Sequence, residues 1–177
     1  MSKRMIIMHF DVNNQAYQAV SEIKKWQTEQ KIVGDQLAIV THAQDGIHRF
    51  IINKFVDFYF NDQNQSINDS LIHVFIDILD GPSGILFEWF SGSLLGTNLK
   101  MKKDSVFKQM TEQLKKGETG IILIAVENDN RLLNYLVVDQ LDGKIIRLNL
   151  DKVEQEINQA KQLGKNSFRQ NLFKSKE

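Results

Sequence analysis

Four histidines and one line of acids are the residues whose types could do chemistry here: His9, His42, His48 and His73, with Asp69, Asp77 and Asp80 near the last. Imidazole can serve as a general base or a metal ligand near neutral pH. The chain has no cysteine, which removes thiolate nucleophiles, disulfides and cysteine-ligated zinc or iron–sulfur sites. On a helix, Asp69, His73, Asp77 and Asp80 fall along one narrow seam of an otherwise apolar cylinder. His73, Asp77 and Asp80 are then the candidates for a cation held by oxygen and imidazole; a solvated helix edge has the same pattern. His42 and His48 flank Asp45-Gly46, a hairpin signal. A two-residue turn pairs Gln44 with Ile47 and puts the two histidines on opposite faces. A three-residue loop with Gly46 left-handed pairs Ala43 with Ile47 and makes them cross-strand neighbours, still without a third local ligand. No nucleophile elbow, P-loop, dinucleotide fingerprint or HExxH occurs. No serine or acid is spaced with a histidine as a triad. No catalytic, cofactor-binding or metal residue is assigned on this evidence, and no cofactor is expected.

The elements that must position these residues alternate between strand and helix. Met5 to Asp11 is a short apolar run that reads as a buried strand. Asn13 or Asn14 can cap a helix through Ala16, Val20, Ile23 and Trp26, with Gly34 at its C-terminal cap. Leu37 to Ala43 is a second strand, and Ile47 to Phe55 returns from the hairpin. Asn61 to Asn68 is a polar loop, with Ser66 or Asn68 as the cap of the next element. Leu71 to Leu79 suits either strand or helix. The helix is preferred because Gly81-Pro82 then forms the turn of a helical hairpin. Asp104 caps a helix to Leu114, closed by Lys115-Lys116-Gly117. Gly120 to Val126 is apolar at every position, so it is a central strand covered on both faces. Asp129 or Asn130 caps the next helix, Asp142-Gly143 turns into a strand from Lys144 to Leu150, and Asp151 caps a last helix through Val153, Ile157 and Ala160. After Gly164 the tail is polar and basic with Phe168, Leu172 and Phe173 spaced along it; it is either frayed or an amphipathic docking segment, and docking is preferred.

The stretch from Asp80 to Gly96 organises the middle of the chain. As a helix from Ser83 it places Gly84, Glu88, Gly92 and Gly96 four apart on one face, with Ile85, Leu86, Phe87, Trp89, Phe90, Leu94 and Leu95 around the rest. Glycine in a helix interior costs about 1 kcal/mol against alanine. A stripe of glycines is therefore expected where another backbone comes close, and Gly84, Gly92 and Gly96 are the expected helix-packing or interface residues.

Together these elements predict an α+β fold: a ferredoxin-like βαββαβ sheet with helices on one face, and an extra hairpin strand and three helices inserted between its halves. The expected division of one domain, 1–177, is a first half at 1–55, a helical insertion at 66–116, a second half with a C-terminal helix at 119–164, and a tail at 165–177. Lys plus Arg equal Asp plus Glu at 22 each, which argues against dedicated nucleic-acid binding. The apolar run after Met1-Ser2-Lys3-Arg4 is shorter than a signal-peptide core, and no run has the length of a spanning helix. A cytoplasmic protein is expected.

This order of elements resembles a bacterial family, the domain-of-unknown-function family 1269, whose members are often labelled predicted membrane proteins. Three places carry the likeness over about residues 4 to 157. They are the strand–helix–strand leading into Asp45-Gly46; Gly81-Pro82-Ser83-Gly84 with Gly92-Ser93-Leu94-Leu95-Gly96; and Leu114 to Val126 followed by Gly143 to Leu150. The resemblance implies membrane association as the alternative localisation, and it carries no catalytic residues. The expected role is a non-catalytic module, a homodimer or a partner- or membrane-docking domain. The alternative is a small-ligand-binding or enzymatic domain with a pocket between the sheet and the inserted helices.

Overall fold

The computed structural model describes residues 2–45, 49–58, 70–80 and 104–174, with 163–174 as backbone alone. Five strands form one antiparallel sheet: β1 (Arg4–Phe10), β2 (Ile32–His42), β3 (Phe50–Asp57), β4 (Thr119–Glu127) and β5 (Lys144–Asn149), in the order β3-β2-β4-β1-β5. The helices are α1 (Asn13–Thr28), α2 (Leu71–Leu79), α3 (Val106–Gln113), α4 (Arg131–Asn134), which runs on as a π-helical turn (Tyr135–Gln140), and α5 (Leu150–Lys174). The fold is thus mixed α+β, and β4 is the central strand that its apolar sequence predicts. It lies between β2 and β1, with Ile6 opposite Leu123 and Leu37 on its other side.

Alternation along the strands builds two cores, because successive side chains point to opposite faces. Met5, Ile7, Ile122 and Ile124 face α2, α3 and α5. Ile6, Met8, Ile121 and Leu123 face α1 and the α4 segment. Helices therefore cover both faces, which corrects the expectation of one covered face. The inserted helices carry enough apolar surface to close the side opposite the crossover helices: Ile72, Phe75, Phe107 and Met110 are wholly buried.

Several local expectations give way to longer-range contacts. Gly34 does not end α1; it lies inside β2, opposite Ala125, with its N–H donating to Gln27 Oε1 at 2.6 Å. The left-handed residue after α1 is Gln30, at φ 61°. The N-cap of α1 is Val12 rather than Asn13 or Asn14, and the Gln15 side chain reaches back to the Val12 N–H at 3.3 Å. Ser70, not Ser66 or Asn68, caps α2 by accepting the His73 N–H. Asp104 does not cap α3. Glu156 of α5 does so from a distance, both oxygens accepting the Val106 N–H at 3.1 and 3.2 Å, while Asp104 meets Lys152 Nζ at 2.9 Å. Asn149 rather than Asp151 supplies the side chain at the start of α5, and the helix passes through Gly164 to Lys174. At α4, Asp129 Oδ1 does accept the Arg131 N–H, at 2.9 Å.

The hairpin register also differs from both readings. His42 pairs with Phe50, and Ala43 N–H donates to the Arg49 carbonyl at 2.8 Å. Neither the Gln44–Ile47 nor the Ala43–Ile47 pairing fits that ladder. Gly46, Ile47 and His48 lie outside the described residues, as do Asn61 to Asn68 and the stretch with Gly84, Gly92 and Gly96; the side chains of Phe168, Leu172 and Phe173 do too. Among the described residues no helix is long and apolar enough to cross a membrane.

Candidate functional site

The helices on either side of the glycine-bearing stretch, α2 and α3, pack on one face of the sheet. At the end of α2, Asp80 Oδ1 accepts the Phe50 N–H at 2.6 Å. At the start of α3, Glu156 holds the first N–H, much as a side-chain cap would, a contact typically worth ~1 kcal/mol. Between these points Phe75 of α2 stacks on Phe107 of α3, with ring centroids 5.1 Å apart and planes 14° from parallel. Such a pair adds about 0.5–1.5 kcal/mol beyond the area it buries. Leu79 and Val106, on either side of residues 81–103, thus belong to the same core layer.

The polar seam on α2 is not gathered on one point. His73 Nδ1 and the Ser70 hydroxyl share a hydrogen bond, and the ring meets Phe55 edge-on with centroids 4.6 Å apart. Asp80 is turned to the Phe50 amide, and Asp77 is exposed. Among the described residues no group of three or more histidine and acid side chains is arranged to hold a metal. Burial lowers the His73 pKa from 6.5, against the opposing pull of Asp77. Burial raises the Asp80 carboxyl, against the Phe50 N–H and Arg49. Asp80 as a residue remains largely exposed, so water screens the consequence for stability.

The sign for His73 gives a test. A histidine with a lowered folded pKa binds fewer protons folded than unfolded. Its contribution is therefore present above 6.5 and lost as pH falls through the lower folded value. His73→Gln, which cannot charge, should flatten the fall in urea midpoint below that pH. An unchanged slope would contradict this.

His9 and His42 are tied into the sheet end where β1, β2 and β4 meet. His42 Nδ1–H donates to the Leu114 carbonyl at 2.7 Å, and its ring stacks on Phe50 at 4.2 Å. His9 Nε2 lies 3.3 Å from Glu118 Oε2 and 4.0 Å from Asp11 Oδ1. Leu114 sits between them over Gly120.

A further cluster has no counterpart in the reading of the sequence. Glu127, at the end of β4 with its side chain 2% exposed, takes Arg147 in a two-bond fork (Nε–Oε2 2.6 Å, Nη2–Oε1 2.9 Å). It also takes Arg4 Nη2 at 3.1 Å. Arg147 Nη1 donates to Asn134 Oδ1 at 2.9 Å. A cleft of about 480 Å³ opens beside this cluster, lined by Ser2, Arg4, Glu127, Asn128, Asp129 and Asn130. The available signal was a charge among the apolar residues of each of three strands: Arg4 at the start of β1, Glu127 at the end of β4 and Arg147 within β5. It becomes readable once the strand order brings Arg4, Glu127 and Arg147 to one edge. Compared with family models, curated proteins and solved structures, the chain matches none.

Proposed function

We propose that the chain is a non-catalytic association module whose body is a ferredoxin-like βαββαβ sheet. The order β5-β1-β4-β2, antiparallel throughout, supports that body, with β3 as the inserted hairpin strand. In this reading the segment 81–103 is the working part, Gly84, Gly92 and Gly96 admit a second backbone, and the partner is a second copy of the chain. Docking to another protein or a membrane surface is the variant of the same role, in keeping with the family that the element order resembles. The reading rests on the fourfold spacing of Gly84, Gly92 and Gly96 in the sequence, and the described residues on either side support it: Asp80 and Val106 are hydrogen-bonded to Phe50 and Glu156 beside one core layer.

Gly92→Leu and Gly96→Leu test it. Overpacking a close contact costs about 1–3 kcal/mol per site. The melting point of each variant should fall, and fall further on dilution, because the contact is between copies. Were the glycines exposed helix positions, alanine would stabilise by about 0.4–1 kcal/mol, and leucine would leave melting point and mass unchanged. That outcome removes the association reading. A ligand-binding role has one observation of its own, the cleft at Arg4.

A further inference from the structure

Arg4 carries the surplus charge of a cluster that is otherwise balanced. Arg147 takes both oxygens of Glu127, so one guanidinium and one carboxylate already match. Asp129 is matched by Arg131, with Nη2 2.8 Å from Oδ2. Arg4 remains. Its Nη2 reaches Glu127 Oε2 at 3.1 Å and Asn130 Oδ1 at 2.6 Å, while its Nε and Nη1 have no hydrogen-bond partner among the described residues. Its side chain is 28% exposed and forms a wall of the 480 Å³ cleft. That volume falls within the roughly 300–1,000 Å³ of small-molecule sites.

The contacts at Nη2 do more than neutralise Glu127. They hold the guanidinium in place, so that its remaining N–H donors meet a ligand with little further loss of rotamer freedom. Ser2 and Asn128, on the same cleft, carry neutral donors, a hydroxyl and a side-chain amide. A cationic ligand fits worse, because guanidinium groups already occupy the carboxylates on the cleft wall. We infer that this cleft binds the oxyanion group of a small molecule, a phosphate or a carboxylate, with Arg4 as the charged donor and Ser2 and Asn128 as neutral ones. A charge-assisted bond from a guanidinium is the strong kind, and here the cation is already fixed before the ligand arrives.

The test is a nuclear magnetic resonance titration of the full chain with inorganic phosphate and, separately, with acetate, against sodium chloride at matched ionic strength. The expected result is saturable movement of the Arg4 Nε–H signal and of the amides of Asn128, Asp129 and Asn130. Saturation with phosphate alone marks a phosphoryl ligand, with acetate alone a carboxylate ligand, and with both a general oxyanion site. Arg4→Gln should weaken the binding tenfold or more. Asn128→Ala should weaken it severalfold while leaving the Arg4–Glu127 contact in place, so the inference stays testable if the first variant does not fold. Shifts that chloride reproduces, saturable shifts centred elsewhere, or undiminished affinity in any variant that folds would overturn it.

Discussion

Glu127→Ala should lower stability by about 3 kcal/mol, at the lower end of the 3–5 kcal/mol typical when one partner of a buried pair is removed. The substitution strands two cations. Arg147 is the more costly, with its side chain 15% exposed and both bonds of its fork lost. Arg4, at 28% exposure, recovers part of its hydration, which keeps the figure low in the range. Glu127→Gln retains an acceptor for one guanidinium and should lose roughly half as much, since a hydrogen bond to a charged group is worth about 1.5–3 kcal/mol. Urea unfolding of the three chains measures this. A loss under about 1 kcal/mol for the alanine variant, the scale of an exposed ion pair, would show that water reaches the cluster.

Gly120→Ala should be at least as damaging, although it adds one methyl group. A Cβ at Gly120 would collide with the Met8 carbonyl oxygen and lie 2.7 Å from Leu114 Cδ2. Leu114 could give way, but the Met8 oxygen belongs to β1, the strand beside β4 in the middle of the sheet. Moving it opens the β1–β4 ladder. Overpacking costs about 1–3 kcal/mol where side chains can adjust and more where they cannot, so the expected cost is about 3 kcal/mol or above. Adding Leu114→Ala should fail to rescue it. Gly34→Ala is the contrast. There the new methyl meets the Phe58 ring at 2.8 Å and Gln27 Oε1 at 3.3 Å, both side chains that can turn, so the loss should be smaller. Equal losses at the two glycines would contradict the distinction between a backbone and a side-chain obstacle.

The parts of this fold legible in the sequence are those set by local pattern. Consecutive apolar residues from Gly120 to Val126 can be buried only between two covered faces, and β4 is central for that reason. For Leu71 to Leu79 the period left strand and helix open, and the Gly81-Pro82 turn signal decided correctly for the helix. What escaped was set by residues far apart in the chain. The cap of α3 is Glu156, fifty residues from Val106, so a search of the preceding residues finds Asp104 instead. The hairpin register, His42 opposite Phe50, is one that the turn signal Asp45-Gly46 does not specify by itself. The run from Gly120 to Val126 already requires a cover on the second face; what the local pattern does not say is that α2, α3 and α5 provide it. The Arg4–Glu127–Arg147 cluster required the full strand order, because its members lie on three strands far apart in the chain, β1, β4 and β5. The glycine stripe is legible as a spacing, and self-association is the role proposed for it.

That role is tested most directly by sedimentation velocity of the unaltered chain over a thousandfold range of concentration, beside the Gly92→Leu/Gly96→Leu chain. Self-association through the stretch with Gly84, Gly92 and Gly96 predicts a sedimentation coefficient that climbs from monomer to dimer for the unaltered chain, with the double variant remaining at the monomer value across the range. A monomer at every concentration, or a dimer that the two leucines leave intact, would contradict it.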